Sequence, residues 1–264
     1  MLDESRHVVP EGDATEIPAE VYDVGFGWDP LPEVHRLLFA ARQAGVEPAS
    51  ALELGCGSGR ILRALAGHIA DRAGLDLSPT MVDYAAAHAD GAAVHCLDMS
   101  AFELGRRFDL IYASANSLRC VTDAAAVLRL WRRIAAHLAP GGVFVADLEL
   151  GLADEGAKLN KPATWAVSRS DVEVRVSWTV TTAPDASTRC CRITWRFERR
   201  EADGPPHAWS ETFSLRTYDA AELAAWMAAG GLAVRAFYEI RDPYLLERPV
   251  ERAVGRMLVV AQSA

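Results

Sequence analysis

The chain has 264 residues, 50% of them hydrophobic and 24% charged, with 27 Lys plus Arg against 36 Asp plus Glu and a formal net charge of -9 at pH 7. The apolar fraction is enough for a packed core and excludes a wholly disordered chain, and the length fits one large domain or one domain with a substantial insert. A surface of that sign repels phosphate backbones and anionic lipid, so the expected partner is a small molecule, with no nucleic acid and no membrane.

Residues 1–20 carry Pro10, Gly12 and Pro18 among many acids without a period and read as a loose arm. Tyr22-Asp23-Val24-Gly25-Phe26-Gly27-Trp28-Asp29-Pro30 is aromatic and broken by glycine. A helix follows, with Val34, Leu37, Leu38 and Ala41 at helical spacing and Gly45 as its stop. From 49 to 149 strands and helices alternate. Ala51-Leu52-Glu53-Leu54 is a buried strand running into Gly55, and the next helix places Ile61, Leu62, Leu65 and Ile69 on one face. Ala73-Gly74-Leu75-Asp76-Leu77 is a second strand. Ser78 then caps a helix with Pro79 at its first position. Val94-His95-Cys96-Leu97 is a third strand, ending at Asp98, and Phe108-Asp109-Leu110-Ile111-Tyr112-Ala113 a fourth. A helix bearing Val127, Leu130, Trp131, Ile134 and Leu138 follows; Pro140-Gly141-Gly142 ends it and leads into the fifth strand, Val143-Phe144-Val145-Ala146. This rhythm predicts right-handed βαβ units and a parallel sheet covered on both faces.

The period then changes to 2. Val172, Val174, Val176, Trp178 and Val180 alternate with polar residues, as do Cys191, Ile193, Trp195 and Phe197. A third run, 209–215, carries Phe213 and Leu215 on one face. Pro184-Asp185 and Asp203-Gly204-Pro205-Pro206 separate the three runs, which read as an antiparallel meander inserted after the fifth strand. The charged stretch 196–200 reads as a solvated edge strand. Asp219 and Glu222 then stand in a capping-box arrangement before Leu223, Trp226 and Met227, and 234–240 and 256–261 read as closing strands. The chain thus divides into an arm at 1–20, a core at 21–164, an antiparallel insert at 165–217 and a return to the core at 218–264.

The sharpest local signal is Glu53-Leu54-Gly55-Cys56-Gly57-Ser58-Gly59-Arg60, which follows a strand and opens a helix. Alternate glycines let the backbone turn tightly and approach a ligand. A dinucleotide fingerprint would need a third glycine at position 60, which is Arg. Asp76, about 20 residues beyond Gly55, is placed to accept both hydroxyls of a ribose. Asp98 ends the next strand, where a carboxylate can accept from an adenine amine beside the Met99 amide. A single acid at a strand end is as often a helix cap. Three of them, Glu53, Asp76 and Asp98, at consecutive strand ends point to one crevice.

Gly55-Cys56-Gly57-Ser58-Gly59, Leu75-Asp76-Leu77-Ser78-Pro79-Thr80-Met81, Leu97-Asp98-Met99, Phe108-Asp109-Leu110-Ile111 and Leu138-Ala139-Pro140-Gly141-Gly142 together resemble the successive motifs of class I S-adenosylmethionine-dependent methyltransferases, over about residues 20–150. The insert after the fifth strand also resembles that of bacterial sugar N,N-dimethyltransferases of the desosamine and mycaminose type. The resemblance implies an α/β fold, a Rossmann-like seven-stranded, mostly parallel sheet with helices on both faces and an antiparallel β insert after strand five. It implies S-adenosyl-L-methionine as cofactor and S-adenosyl-L-homocysteine as product, with methyl transfer to N or O of a small-molecule acceptor. By the same resemblance, Gly55, Cys56 and Gly57 pack against the cofactor's methionine moiety, and Glu53 orients the loop or meets its amino group. Asp76 holds the ribose, Leu77 and Met81 pack near the adenine, and Asp98 and Met99 bind the adenine edge. Ser114 lines the methionine side. Tyr22 folds over the cofactor carboxylate, with Trp28 as the rival for that role. The insert is expected to act as a lid that selects the acceptor.

A nicotinamide-dependent oxidoreductase, disfavoured by Arg60, and a non-catalytic domain that binds S-adenosylmethionine remain as alternatives. No catalytic base is assigned. Glu149 is better placed than His35, His68, His95 or His137; His207 sits on a loop that could face the pocket, and Asn116 could touch an acceptor as readily as cap a turn. Trp178, Trp195, Trp209, Phe213 and Tyr218 read mainly as cross-strand packing. The five cysteines are odd in number and form no CxxC spacing, so no metal site is expected. The polar N-terminus Met1-Leu2-Asp3-Glu4-Ser5-Arg6-His7 and the lack of any run near the roughly 18 apolar residues of a membrane helix fit a cytoplasmic monomer or homodimer.

Overall fold

The apolar residues of the alternating segments fall on strands whose two faces are both covered, which requires a layered sheet rather than a sandwich. The computed structural model describes residues 16–151, 158–201, 204–241, 244–245 and 249–264; residues 1–15 of the expected arm and Asp203 of an expected turn lie outside them. In chain order, α1 (Ala19–Gly25) and α2 (Leu31–Gln43) precede β1 (Ser50–Leu54), α3 (Arg60–Ala64), β2 (Asp71–Asp76), α4 (Pro79–His88), β3 (Ala93–Cys96), β4 (Phe108–Ala113), α5 (Ala124–His137) and β5 (Leu138–Leu150). The strands β6 (Ala163–Arg169), β7 (Val172–Val180), β8 (Cys190–Glu201) and β9 (His207–Arg216) form a second sheet. Then α6 (Ala220–Ala229), β10 (Leu232–Arg241), β11 (Tyr244–Leu245) and β12 (Gly255–Ser263) complete the first.

The main sheet runs β11-β10-β12-β5-β4-β1-β2-β3. β3, β2, β1, β4 and β5 are parallel, and β12 lies antiparallel between β5 and β10. The seven expected strands are present, and β11 is a two-residue extension paired with β10. Strand order reverses at β1, which pairs with both β2 and β4, so a crevice opens at the carboxyl ends of these strands. Successive residues go to opposite layers. Leu110, Tyr112, Val143 and Val145 pack with Val34, Leu37, Ile61 and Leu65, while Ile111, Ala113, Phe144 and Ala146 pack with Leu130, Trp131, Leu223 and Met227.

Several local expectations change. The arm shortens, because Ile17 is buried against Val174, Val176 and Phe197 and the helix α1 begins at Ala19. The helix after the glycine loop ends at Ala64 and continues as a 3-10 turn, Leu65–Gly67, although Ile61, Leu62, Leu65 and Ile69 are all buried as expected. Pro140-Gly141-Gly142 does not end a helix: α5 stops at His137, and β5 runs on through Gly141 (φ +78) with a register slip against β4. The insert has four strands, because β6, whose alternation is too weak to stand out, pairs along its length with β7; its sheet starts at Ala163, just before the boundary at 165. Finally, β8 is flanked by β7 and β9 and is no edge strand. The charges at Arg196, Glu198 and Arg200 mark its wet face, where Glu198 pairs with both arginines, and period-2 charge reports a face rather than a position in the sheet.

Candidate functional site

β1 delivers the chain into a loop where Gly55 (φ +69), Gly57 (φ +51) and Gly59 (φ +77) take a backbone conformation that side chains resist. The Gly55 and Cys56 amides donate to the Leu75 carbonyl at 2.8 and 3.0 Å, tying the loop to β2. A Cβ at Gly55 would lie 3.0 Å from Ser117 Cβ and 3.2 Å from Met99 Cε, and one at Gly57 would lie 3.3 Å from Tyr22 Cε1. The loop is a bare-backbone cradle walled by Tyr22, Met99 and Ser117.

Asp76 stands beside it. Its Oδ2 accepts from the Gly57 amide at 2.8 Å and its Oδ1 from the Ser78 amide at 3.0 Å. A carboxylate has about four lone-pair sites, so each oxygen keeps a free acceptor position beside the loop. The Ser78 hydroxyl caps α4 by accepting from the Met81 amide at 3.3 Å, which places Met81 on the first turn next to Leu77, whose side chain is 62% exposed. Asp98 Oδ1 accepts from the Ser100 amide at 2.7 Å, fixing the turn that carries Met99. Glu53 is buried, and its Oε2 accepts from the Tyr112 hydroxyl at 3.0 Å. Burial pushes its carboxyl up to about 8, against the opposing pull of Tyr112 and Arg60.

β4 ends at Ala113, and after Ser114 the chain turns sharply through Ala115 (φ +50) and Asn116 (φ +67). The Ser114 carbonyl accepts from the Ser117 hydroxyl at 2.6 Å, and Asn116 Oδ1 accepts from the Glu149 amide at 2.6 Å. Glu149 itself is committed to Lys158, whose Nζ lies 3.0 Å from Oε1. The buried His137 accepts from the Leu104 amide through Nε2 and its Nδ1 meets the Arg133 carbonyl, a structural role.

The structure separates the two aromatic rivals. Tyr22 lies against Gly57, its ring 6.0 Å from both Trp195 and Phe197 of β8. Burial, with Asp76 and Cys120 adding to it, raises its phenol far above the ordinary value, so it is a neutral donor. Trp28 sits away from the loop. It packs on Phe26, Trp165 and Arg60, donates to Glu33, and lines a separate cavity of about 310 Å³ with Arg60, Arg63 and Arg169. The chain leaves α1 at Phe26, and Trp28 comes to lie against Arg60, the first residue of α3. The Cys56 side chain likewise turns inward to Leu62 and Ala89, leaving only its backbone to face the crevice.

Sequence reasoning missed what holds α1 down. The buried Asp23 accepts from Ser58 Oγ at 2.7 Å, Arg63 at 2.5 Å, Arg169 at 2.8 Å and the Tyr84 hydroxyl at 3.3 Å. Burial would raise its pKa, but the bonds from Arg169, Arg63 and Ser58 outweigh it and hold the carboxyl below its usual range. One side chain thus joins the N-terminal helix to the glycine loop, to α4 and to the second sheet. The available signal was an Asp inside an aromatic segment opposite a Ser-Gly-Arg loop.

These groups fit S-adenosylmethionine: a bare-backbone cradle, two free acceptor positions on Asp76 for vicinal hydroxyls, and a buried carboxyl at Glu53 facing Asp76 and the loop. A family model described as a methyltransferase domain matches residues 51–142. The chain is 33% identical over 150 residues to dTDP-3-amino-3,6-dideoxy-alpha-D-glucopyranose N,N-dimethyltransferase of Streptomyces fradiae, covering 56% of this chain and 59% of that one. It is 30% identical over 206 residues to trans-aconitate 2-methyltransferase of Methylobacterium radiotolerans, covering 74% of this chain and 72% of that one. The alignments to the amino-sugar relatives span only 59%, 56% and 53% of those proteins. Among solved structures, the sugar N-methyltransferase KedS8 from Streptoalloteichus sp superposes with a TM-score of 0.74 at 25% identity, over 100% of this chain and 99% of that one. Streptomyces venezuelae DesVI gives 0.71 at 25% identity, over 93% and 98%. Nothing among these supports a nicotinamide-dependent reading.

Proposed function

The chain belongs to the class I S-adenosylmethionine-dependent methyltransferases, and on that premise we propose that it methylates the nitrogen of a small-molecule amine, an amino sugar carried on a nucleotide. The cofactor, when bound, would supply an electrophilic methyl on a sulfonium, with a neutral thioether as leaving group. In this reading Asp76 accepts the two ribose hydroxyls, Asp98 and the Met99 amide meet the adenine edge, and Leu77 and Met81 cover it. Gly55, Gly57 and the Cys56 backbone leave room for the methionine end, with Glu53 and Ser114 beside it. Tyr22, held by the Asp23 anchor, closes over that end.

The observation that carries the reading is the placement of the second sheet. Tyr22 touches the glycine loop on one side and Trp195 on the other, which supports a reading in which the second sheet borders the crevice that the loop and Asp76 line. Ring packing there excludes water from a reacting cation, and transfer by in-line displacement depends mainly on positioning. The relatives include enzymes named for amine and for acid methylation, so nitrogen rather than oxygen is this proposal's own commitment. Among the described residues no helix is long and apolar enough to cross a membrane. The test incubates the protein with S-adenosylmethionine and dTDP-3-amino-3,6-dideoxy-α-D-glucopyranose, reading S-adenosylhomocysteine and methylated sugar by mass spectrometry. Formation of both supports the proposal. S-adenosylhomocysteine binding without methylation of the amine counts against the acceptor, and no binding at all counts against the cofactor site.

A further inference from the structure

Through its central rows the inner face of the second sheet is apolar by strand period except at one position, while the rows beyond them carry Arg169, Arg199 and Glu201. Its central rows pair Val180 with Ile193 and Phe213, and Trp165 with Val176, Phe197 and Trp209. Between them lies the row Ala163–Trp178–Trp195–Glu211. Glu211 is therefore flanked on its own strand by Trp209 and Phe213, both packed into the sheet's apolar clusters, and across the strands by Trp195. It is the one charged residue of these three rows. Among the described residues it makes no hydrogen bond or ion pair. The residue is exposed, so water solvates the carboxylate where no protein group pairs with it.

The face it occupies looks onto the cofactor crevice. Its row neighbour Trp195 lies 6.0 Å from the Tyr22 ring, which lies against Gly57. Cys120, at the end of the turn that begins with Ser117, is close enough to Glu211 and to Asp76 to feel both charges. Ser117 in turn touches Gly55. Glu211 is exposed, so a ligand can reach it from solvent. The groups around it are Cys120, Trp195 and Glu16, the last held by the Ser78 and Thr80 hydroxyls, while Arg119 donates from Nε to the Arg216 carbonyl. The other carboxylate near the strand ends, Glu149, is engaged by Lys158.

We propose that Glu211 is the acceptor-recognition carboxylate of this enzyme: it binds the amino group of the incoming amine and takes the proton that nitrogen must lose before it can react. The inference rests on the methyltransferase reading and goes beyond it by assigning the residue that makes the acceptor an amine. An ammonium donates N–H to a carboxylate strongly where an alcohol donates weakly, which gives the selectivity. One proton passes from nitrogen to a Glu211 oxygen, the nitrogen keeps its electron pair, and the proton leaves to the water around this exposed side chain. Partial desolvation by its apolar neighbours, and then Glu16, raise the Glu211 pKa above the ordinary carboxylate value, which makes it a better proton acceptor.

The experiment measures calorimetric binding to protein saturated with S-adenosylhomocysteine. The probes are dTDP-3-amino-3,6-dideoxy-α-D-glucopyranose and cyclohexylamine, each against its hydroxyl counterpart. The wild type should bind the amines at least tenfold more tightly than the alcohols. E211Q should lose at least thirtyfold in amine affinity while holding S-adenosylhomocysteine within twofold. E211L should melt within a few degrees of the wild type yet lose amine binding to the same extent, separating a binding role from a structural one. Amine affinity unchanged in E211Q, alcohols bound as well as amines, or no amine bound by a wild type that takes S-adenosylhomocysteine would each overturn the proposal. A wild type that takes no S-adenosylhomocysteine fails the methyltransferase reading instead.

Discussion

Replacing Asp76 by asparagine tests the ribose site with little disturbance of the fold. The carboxylate holds two backbone amides, from Gly57 and Ser78, and leaves one acceptor position free on each oxygen. Hydrogen bonds to a charged group contribute about 1.5–3 kcal/mol and neutral ones about 0.5–1.5, so two hydroxyls moved from carboxylate to amide lose about 2 kcal/mol together. That is roughly thirtyfold in Kd for S-adenosylhomocysteine. Asparagine keeps one oxygen for a backbone amide, so the melting temperature should fall by only a few degrees. Asp76→Ala is the harsher variant, because it also orphans the Gly57 and Ser78 amides, and it should lower both affinity and melting temperature further. Calorimetric titration alongside thermal melts reads both effects. Wild-type affinity in Asp76→Asn would refute the assignment of Asp76 to the ribose.

Gly57→Val places a branched side chain at φ +51 with its Cβ 3.3 Å from Tyr22; cofactor affinity should fall at least a hundredfold, measured by calorimetry, while circular dichroism shows the fold retained. Glu53 has a folded-state pKa of about 8, above its unfolded value, so its contribution to stability is fully present below about pH 4.3 and is lost as pH rises through 8. A cation beside it favours the ionised form, so S-adenosylmethionine binding should strengthen between pH 6 and 8 with release of a proton, and Glu53→Gln should flatten that profile; a wild-type profile already flat would contradict the placement. Asp23→Ala strips the partners from Ser58, Arg63 and Arg169, two of them partly exposed, and should destabilise by about 2–3 kcal/mol in urea unfolding. Because the Asp23 pKa is lowered, the wild-type advantage over that variant should be present above about pH 4 and shrink as pH falls through the folded value.

The parallel core was readable because buried strands, capped helices and the glycine loop each leave a strong local pattern; β4 and the Ser78 cap match their expected positions. The loop acids were readable for the same reason, since a strand end is a position that sequence defines. What escaped was set by tertiary contact. β6 has too little alternation to announce itself and exists because β7 offers it a full partner edge. The rank of β8 inside its sheet depends on which strands flank it, which charge pattern does not encode. Tyr22 and Trp28 are chemically equivalent in sequence, and only the turn at Phe26 and Gly27 decides which ring reaches Gly57. Asp23 could not be distinguished from a surface acid before its four partners converged. Glu211 was visible as the single charge on an otherwise apolar period, between Trp209 and Phe213, but its meaning needed the face to be placed against the crevice.

The most direct measurement locates the transferred methyl. The protein, S-adenosylmethionine and dTDP-3-amino-3,6-dideoxy-α-D-glucopyranose are incubated together, and tandem mass spectrometry with NMR assigns the site of addition. The account predicts one methyl on the sugar nitrogen for each S-adenosylhomocysteine formed, with the rate lost in Asp76→Ala. Methyl found on oxygen, or no S-adenosylhomocysteine above the protein-free blank, would contradict it.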